Sequence, residues 1–290
     1  MKKTFLKASL FVATMTLSLG FASCSDNDDP VTEGNVVPAT ELSAVANTYV
    51  NDIINPTYKD LRDNAKVLKD ACDKAYANAK AGNLSDADIT DACEAFKNAR
   101  REWERSEAFL YGSASDNNID PHIDSWPLDH DELVSALTNA SLIAGFKSDT
   151  PEKFVSDKNE QFQSVLGFHG MEFVLFREGQ NRTVDAFKAN ETEEGMTSVK
   201  GIDELAFLAA VAGDVKNMTA MLEFTWMGDD ASHDNKQVHQ DNSYVLPSLR
   251  YNGFAAKGTM CYGPYLTTPD QTLSHIHIRR RRRHTQLHYW

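Results

Sequence analysis

Residues 41–80 read ELSAVANTYVNDIINPTYKDLRDNAKVLKDACDKAYANAK, and this stretch decides the fold class. Leu42, Val45, Tyr49, Ile53, Leu61, Ala65, Leu68, Cys72 and Ala75 recur at three- and four-residue steps, the spacing of one helix face. Pro56 interrupts the run. It has no N–H and disfavours helix at Asn55, so it predicts a kink or a break there. Gly82-Asn83 marks a turn, and Ser85 followed by Asp86 and Asp88 reads as an N-cap with acids in the first turn. The next stripe holds Ile89, Ala92, Cys93, Phe96, Trp103 and Leu110, and the same steps land on Arg100 and Glu107. Charges on a core-facing stripe are costly unless answered, so these two either satisfy each other or a backbone group, or belong to a site. Cys72 and Cys93 lie level across the turn. A disulfide is open to them in an exported chain, and two buried thiols are the simpler reading because bridging geometry is tight.

Beyond Leu110 the periodicity is lost in YGSASDNNIDPHIDSWPLDH, residues 111–130, which gathers turn-forming residues around Trp126 and reads as an ordered loop. A shorter helix follows over 131–146. Asp149-Thr150-Pro151-Glu152 then starts another, with Pro at its first position. Phe162, Val165, Leu166, His169, Phe173 and Phe176 form its stripe, which puts His169 on the buried face and Glu172 on nearly the same side. Residues 178–200 are polar and read as a long loop. Ile202 to Trp226, with Leu205, Leu208, Ala212, Val215, Met218 and Leu222, reads as a further amphipathic helix. No strand alternation of useful length occurs, so the class is all-α.

The whole chain has 290 residues, 41% hydrophobic and 24% charged, enough for a substantial core and too apolar for disorder. Its net charge of −13 excludes a nucleic-acid binder and favours cations. Lys2, Lys3 and Lys7 precede an apolar stretch over 8–21, the order of an export signal. Phe21-Ala22-Ser23-Cys24 resembles a bacterial lipobox, which makes residues 1–23 a signal peptide and Cys24 a lipidation site that would tie the chain to a membrane. Ordinary secretion with Cys24 left free is the alternative. Residues 24–40 form an acidic tether, either a surface-sorting signal or a solvated linker. A helical domain is expected over 41–240. Residues 241–290 are atypical and end in HIHIRRRRRHTQLHYW. That end reads as a basic arm, as a metal-binding cluster of His275, His277, His284 and His288, or, preferably, as an out-of-frame replacement of native sequence.

Gly167-Phe168-His169-Gly170-Met171-Glu172 has the form GxHxxE. A His and a carboxylate at i, i+3 can place an imidazole nitrogen and carboxylate oxygens on one metal, while Gly167 and Gly170 allow a neighbouring segment close; a hydrogen-bonded core histidine is the simpler reading of the motif alone. The sequence is neither HExxH nor HxxEH. GFHGMEFVLF, ARREWERSEAFLYG and IDSWPLD, in the chain order SEAF, WP loop, GxHxxE, resemble the imelysin family of exported, peptidase-like bacterial proteins, over residues 41–234. The resemblance implies two helical bundles with a polar site between them, the second incomplete here, and an outer-membrane or periplasmic place, on the cell surface or the periplasmic face. It also implies a link to iron uptake and to other iron-uptake components. It carries the signature onto Gly167, His169 and Glu172, the acid of the SEAF segment onto Glu107, the WP loop onto Asp124, Trp126 and Pro127, and an arginine onto Arg100. The expected activity is binding of a divalent metal, iron before zinc, by Glu107, Asp124, His169 and Glu172. One alternative is a metallopeptidase with Glu172 as its catalytic carboxylate. The other is a metal-free site in which Arg100, Glu107, His169 and Glu172 bind a small polar ligand or hold helices together.

Overall fold

Pro56 causes the first departure from a plain helix. In the computed structural model, which describes residues 38–110 and 113–227, α1 (Ala39–Tyr49) passes through a π-helical turn (Val50–Ile54) into α2 (Asn55–Lys80). The wider turn lies just before Pro56, where a missing N–H and the proline ring would otherwise disturb the preceding carbonyls. Because a π turn takes up extra residues, the buried stripe ahead of it is displaced by one position. Ala46, Val50, Ile54 and Tyr58 are buried, whereas the expected Val45 and Ile53 are 68% and 48% exposed. Past Pro56 the expected Leu61, Ala65, Leu68, Cys72 and Ala75 are all buried.

Gly82, at φ +73°, turns the chain back along α2 as α3 (Asp86–Arg105). Its start is a full capping box: Ser85 Oγ accepts the Asp88 N–H, and the Asp88 carboxylate accepts the Ser85 N–H at 3.0 Å. Ile89, Ala92, Cys93, Phe96 and Trp103 are buried as the stripe requires. Cys72 and Cys93 are buried free thiols, and burial raises both, Cys93 to about 11.

A 3-10 turn (Ser106–Phe109) leads into a loop that carries α4 (Ser113–Asp116), α5 (Ile119–Ile123) and a cis Trp126–Pro127 peptide. The helix expected over 131–146 is two, α6 (His130–Thr138) and α7 (Ala140–Phe146). Asn139 divides them because its side-chain oxygen takes the N–H groups of Ser141 and Leu142 at 2.9 and 3.2 Å, an N-cap set in mid-run. The next is also two, α8 (Pro151–Phe162) and α9 (Phe168–Leu175), broken before Gly167. α9 stops at Leu175, so Phe176, expected on its stripe, opens a short antiparallel hairpin, β1 (Phe176–Arg177) with β2 (Gln180–Asn181), and the expected long loop contains β2 and α10 (Val184–Lys188). Two-residue strands are too short to show alternation in sequence.

α11 (Gly201–Met227) is not amphipathic. It is buried nearly all round, with α2, α7, α8, α9 and α10 packed against it. It is long and apolar enough to cross a membrane by length and composition, yet 94% of its apolar window is buried inside the protein. Its charged side chains are answered within the core. Glu204 takes Arg182 at 2.6 and 3.1 Å, Asp214 takes His122 at 2.7 Å, and Glu223 takes Arg62 at 3.1 Å. The fold is all-α, as the sequence implies, with one small hairpin. The expected leader, Cys24, the tether up to residue 37 and everything after Met227, including the tail and a second bundle, lie outside the described residues.

The displaced stripe has a direct test by urea denaturation. Leu68→Ala is expected to lower stability by about 2–5 kcal/mol, and Val45→Ala to change it by no more than about 0.5 kcal/mol. A large loss at Val45 would contradict the one-residue displacement.

Candidate functional site

Two glycines shape the site. Gly167 sits at φ +128°, and a Cβ on it would run into the Ile123 carbonyl; a Cβ on Gly170 would run into the Val165 carbonyl. The start of α9 therefore lies against the end of α5, where Asp124 follows. α5 is itself fixed from below: His122 Nε2 meets Asp214 of α11, and Asn159 of α8 donates to the His122 carbonyl at 2.9 Å.

His169 lines a cleft and does not point into the core. The buried face of α9 is Phe168, Gly170, Met171, Val174 and Leu175, because the break at Gly167 resets the phase that an unbroken helix would have had. Its Nε2 lies 3.1 Å from Asp124 Oδ1, and its Nδ1 3.3 Å from Glu172 Oε2. Asp124 also accepts the Trp103 indole N–H at 2.6 Å and the Arg100 guanidinium. Arg100 turns its other nitrogen to Glu104 at 2.6 Å, so its partners are Asp124 and Glu104 and not Glu107. The Trp126 ring, 70% exposed, stands 4.6 Å from the imidazole. His169, Glu172, Arg100, Glu104 and Trp126, with Phe96, Phe173 and Phe176, line a cleft of about 700 Å³, and Asp124 and Trp103 stand behind its wall.

The structure thus brings together Gly167, His169, Glu172, Arg100, Asp124 and Trp126. Pro127 follows Trp126 but does not line the cleft. Glu107 is linked to the cluster through charge: burial raises its carboxyl pKa, Asp120, Glu104 and Asp124 add to that, and Arg100 opposes it. Sequence reasoning passed over Glu104, Asp120 and the second role of Trp103. Glu104 stands four residues after Arg100 and Asp120 four before Asp124, one helical turn in each case, and that spacing was the available signal.

Burial opposes a proton on His169, but its hydrogen bonds to Asp124 and Glu172 outweigh this and raise its pKa to about 9. The imidazole is therefore a cation at neutral pH with both nitrogens donating. Burial pushes the Asp124 carboxyl up, but His169 and Arg100 hold it below the usual range; the hydrogen bond from His169 lowers Glu172. The cluster neutralises itself. A metal held by these residues would have to displace the proton on His169 and share Asp124 with Arg100, so the contacts present favour charge pairing over a preformed metal site. Among the described residues no three His, Cys, Asp or Glu side chains converge on one point.

The imelysin family model matches residues 54–251. Iron-regulated protein A of Synechococcus elongatus is 27% identical over 128 residues, 44% of this chain and 30% of that protein. A crystal structure from Parabacteroides distasonis, assigned provisionally as an iron-regulated protein A precursor, superposes with a TM-score of 0.53 at 28% identity. It covers 75% of this chain and 54% of its own, so the chain spans about half the length of that relative. The chain belongs to the imelysin family.

Following the His169 ring protons by NMR gives the test of the cluster. The wild-type midpoint is expected near 9, and Asp124→Asn should bring it down toward the ordinary 6.5. Since the folded value is raised, the associated stability, on the order of 1–3 kcal/mol, is fully present below pH 6.5 and fades as pH rises through 9. The lowered Asp124 and Glu172 act in the opposite sense, losing stability as pH falls into the carboxylate range. An unchanged His169 midpoint in Asp124→Asn would dissolve the pairing.

Proposed function

We propose that this imelysin-family chain is a binding protein of iron acquisition, with the cleft at His169 as its ligand site. The observation that carries the reading is that His169 and Glu172 of GxHxxE are joined through Asp124 to Arg100 and presented in an open, aromatic-walled cleft. Two relatives named as iron-regulated protein A supply the link to iron. A preorganised set of charges beside exposed aromatics suits recognition of a ligand by shape and charge. It suits hydrolysis poorly, because a general base needs an unoccupied lone pair facing the substrate. In this cluster each ring nitrogen of His169 faces a carboxylate, Asp124 is tied to His169 and Arg100, and one oxygen of Glu172 is turned to His169, which leaves Glu172 alone as a candidate base with no second catalytic group beside it. The metallopeptidase reading, with Glu172 as base, is therefore second.

The same proposal sends the chain out of the cytoplasm on a lipidated Cys24, at the outer membrane, where it would work with other iron-uptake components. Labelled palmitate should enter the wild-type chain in the source bacterium and not Cys24→Ser.

The function is tested by returning the gene to a strain that lacks it and measuring growth under iron limitation. Wild type should restore growth, while His169→Ala and Glu172→Gln, at equal abundance, should restore less than about a tenth of the iron uptake. Purified chain should leave unfolded casein intact. Full rescue by both variants would remove His169 and Glu172 from the function, and casein cleavage lost in Glu172→Gln would favour the peptidase.

A further inference from the structure

The cleft is built for more than an ion. At about 700 Å³ it falls in the range of small-molecule sites, far above the space that one metal occupies. α3 presents Lys97, Arg100 and Arg101 to it at i, i+3 and i+4, and Arg177 faces it from β1. Glu104, Glu172 and Glu178 also line it, so four basic groups face three acids along the lining. This lies on a chain whose net charge is −13. The cations are seated on rings: Arg177 lies 3.7 Å from the Phe173 centroid and Lys97 5.5 Å from that of Phe176. Two of their ion pairs are helix-surface pairs with largely exposed acids, Lys97 with Glu94 and Arg100 with Glu104. Such pairs are of little worth and yield readily to an incoming anion. Trp126 is the most exposed large aromatic among the described residues, and it stands in the wall of this cleft.

We propose that the cleft binds a planar aromatic anion, a phenolate or aromatic carboxylate, whose ring lies on Trp126 and whose charged edge meets the basic row of α3. This rests on the binding-site reading above and deepens it: iron arrives as the ferric complex of an aromatic chelator, and the ion itself stays on the chelator's oxygens. Aromatic faces and guanidinium groups recognise such a complex without supplying a ligand to the metal, which agrees with a cluster whose donors are already taken. It also gives the basic row of α3 a role on a chain whose overall charge is acidic.

The test titrates the full chain with salicylate, with its ferric complex, and with Fe²⁺ alone, by calorimetry at low and at physiological salt. Salicylate and its complex should bind saturably at one site, about tenfold weaker in Trp126→Ala and several-fold weaker in Arg101→Glu. Trp126→Ala should keep the wild-type melting temperature, because Trp126 is exposed; Arg101 is exposed but pairs with the buried Glu102, so the fold of Arg101→Glu is checked by circular dichroism before its binding is read. Binding should weaken with salt in wild type and less so in Arg101→Glu. Tight binding of Fe²⁺ alone without salicylate binding would overturn the inference, as would salicylate binding that neither variant alters, or no salicylate binding by a folded chain. These outcomes are separable from the iron-limited growth assay, which tests the role in iron acquisition whatever the ligand's form.

Discussion

A helix that is buried on every side has nowhere to hide a charge, and this constraint organises the molecule. α11 carries Glu204, Asp214 and Glu223 along its length, none of them with access to water. An unanswered carboxylate in such a place costs several kcal/mol, of the order of 3–5 when one partner of a buried pair is removed. Each is therefore met by a group from a different part of the chain: Arg182 beyond the hairpin, His122 on α5 and Arg62 on α2. Apolar packing alone would let these segments slide along α11. These pairings fix their registers, and one of those registers sets the site, since His122 stands two residues before Asp124.

The hairpin is fastened by a tighter version of the same device. Arg182 bridges Glu204 and Glu191, and Glu191 also receives Arg177 at 2.7 Å. Burial dominates at Glu204 and raises its pKa to about 7 against the pull of Arg182, while Glu191 is held low chiefly by Arg182 despite its own burial. Two carboxyls sharing one guanidinium divide their protons in this way: one ionises readily and the other reluctantly. Through Arg177 the network reaches the cleft wall. The cation that stacks on Phe173 is thus positioned by the core and not by the surface.

The helical class and most of the α2 and α3 faces were legible in the sequence because three- and four-residue steps carry that information directly. Leu61, Ala65, Leu68, Trp103 and the Ser85 cap are where the pattern puts them. What the pattern could not reveal was phase. The π turn before Pro56, the Asn139 cap and Gly167 each reset the helical count; Val45 lies ahead of the first reset and Ile53 within it, and His169 follows the last. Motif residues were found because residue type and spacing declare them, as at His169 and Glu172. Their partners were found only in part: Asp124 came through the family resemblance, while Asp214, over ninety residues from His122, has no local signal. The all-round burial of α11 was hidden for a related reason: its length and apolarity are visible, but the polar residues that look like a solvent face are in fact bonded inward.

α11 is also made late. The helices that pack on it, from α2 to α10, are translated first and wait for their common partner, with Arg62, His122 and Arg182 still facing water. A chain in that condition has helical turns but no closed core, and domains lock only as whole units. For the route out of the cytoplasm proposed above this order is useful, since an export channel threads extended polypeptide and stalls on a finished fold. The order of synthesis leaves α2, α7, α8, α9 and α10 without their common packing partner until residue 227 has been made.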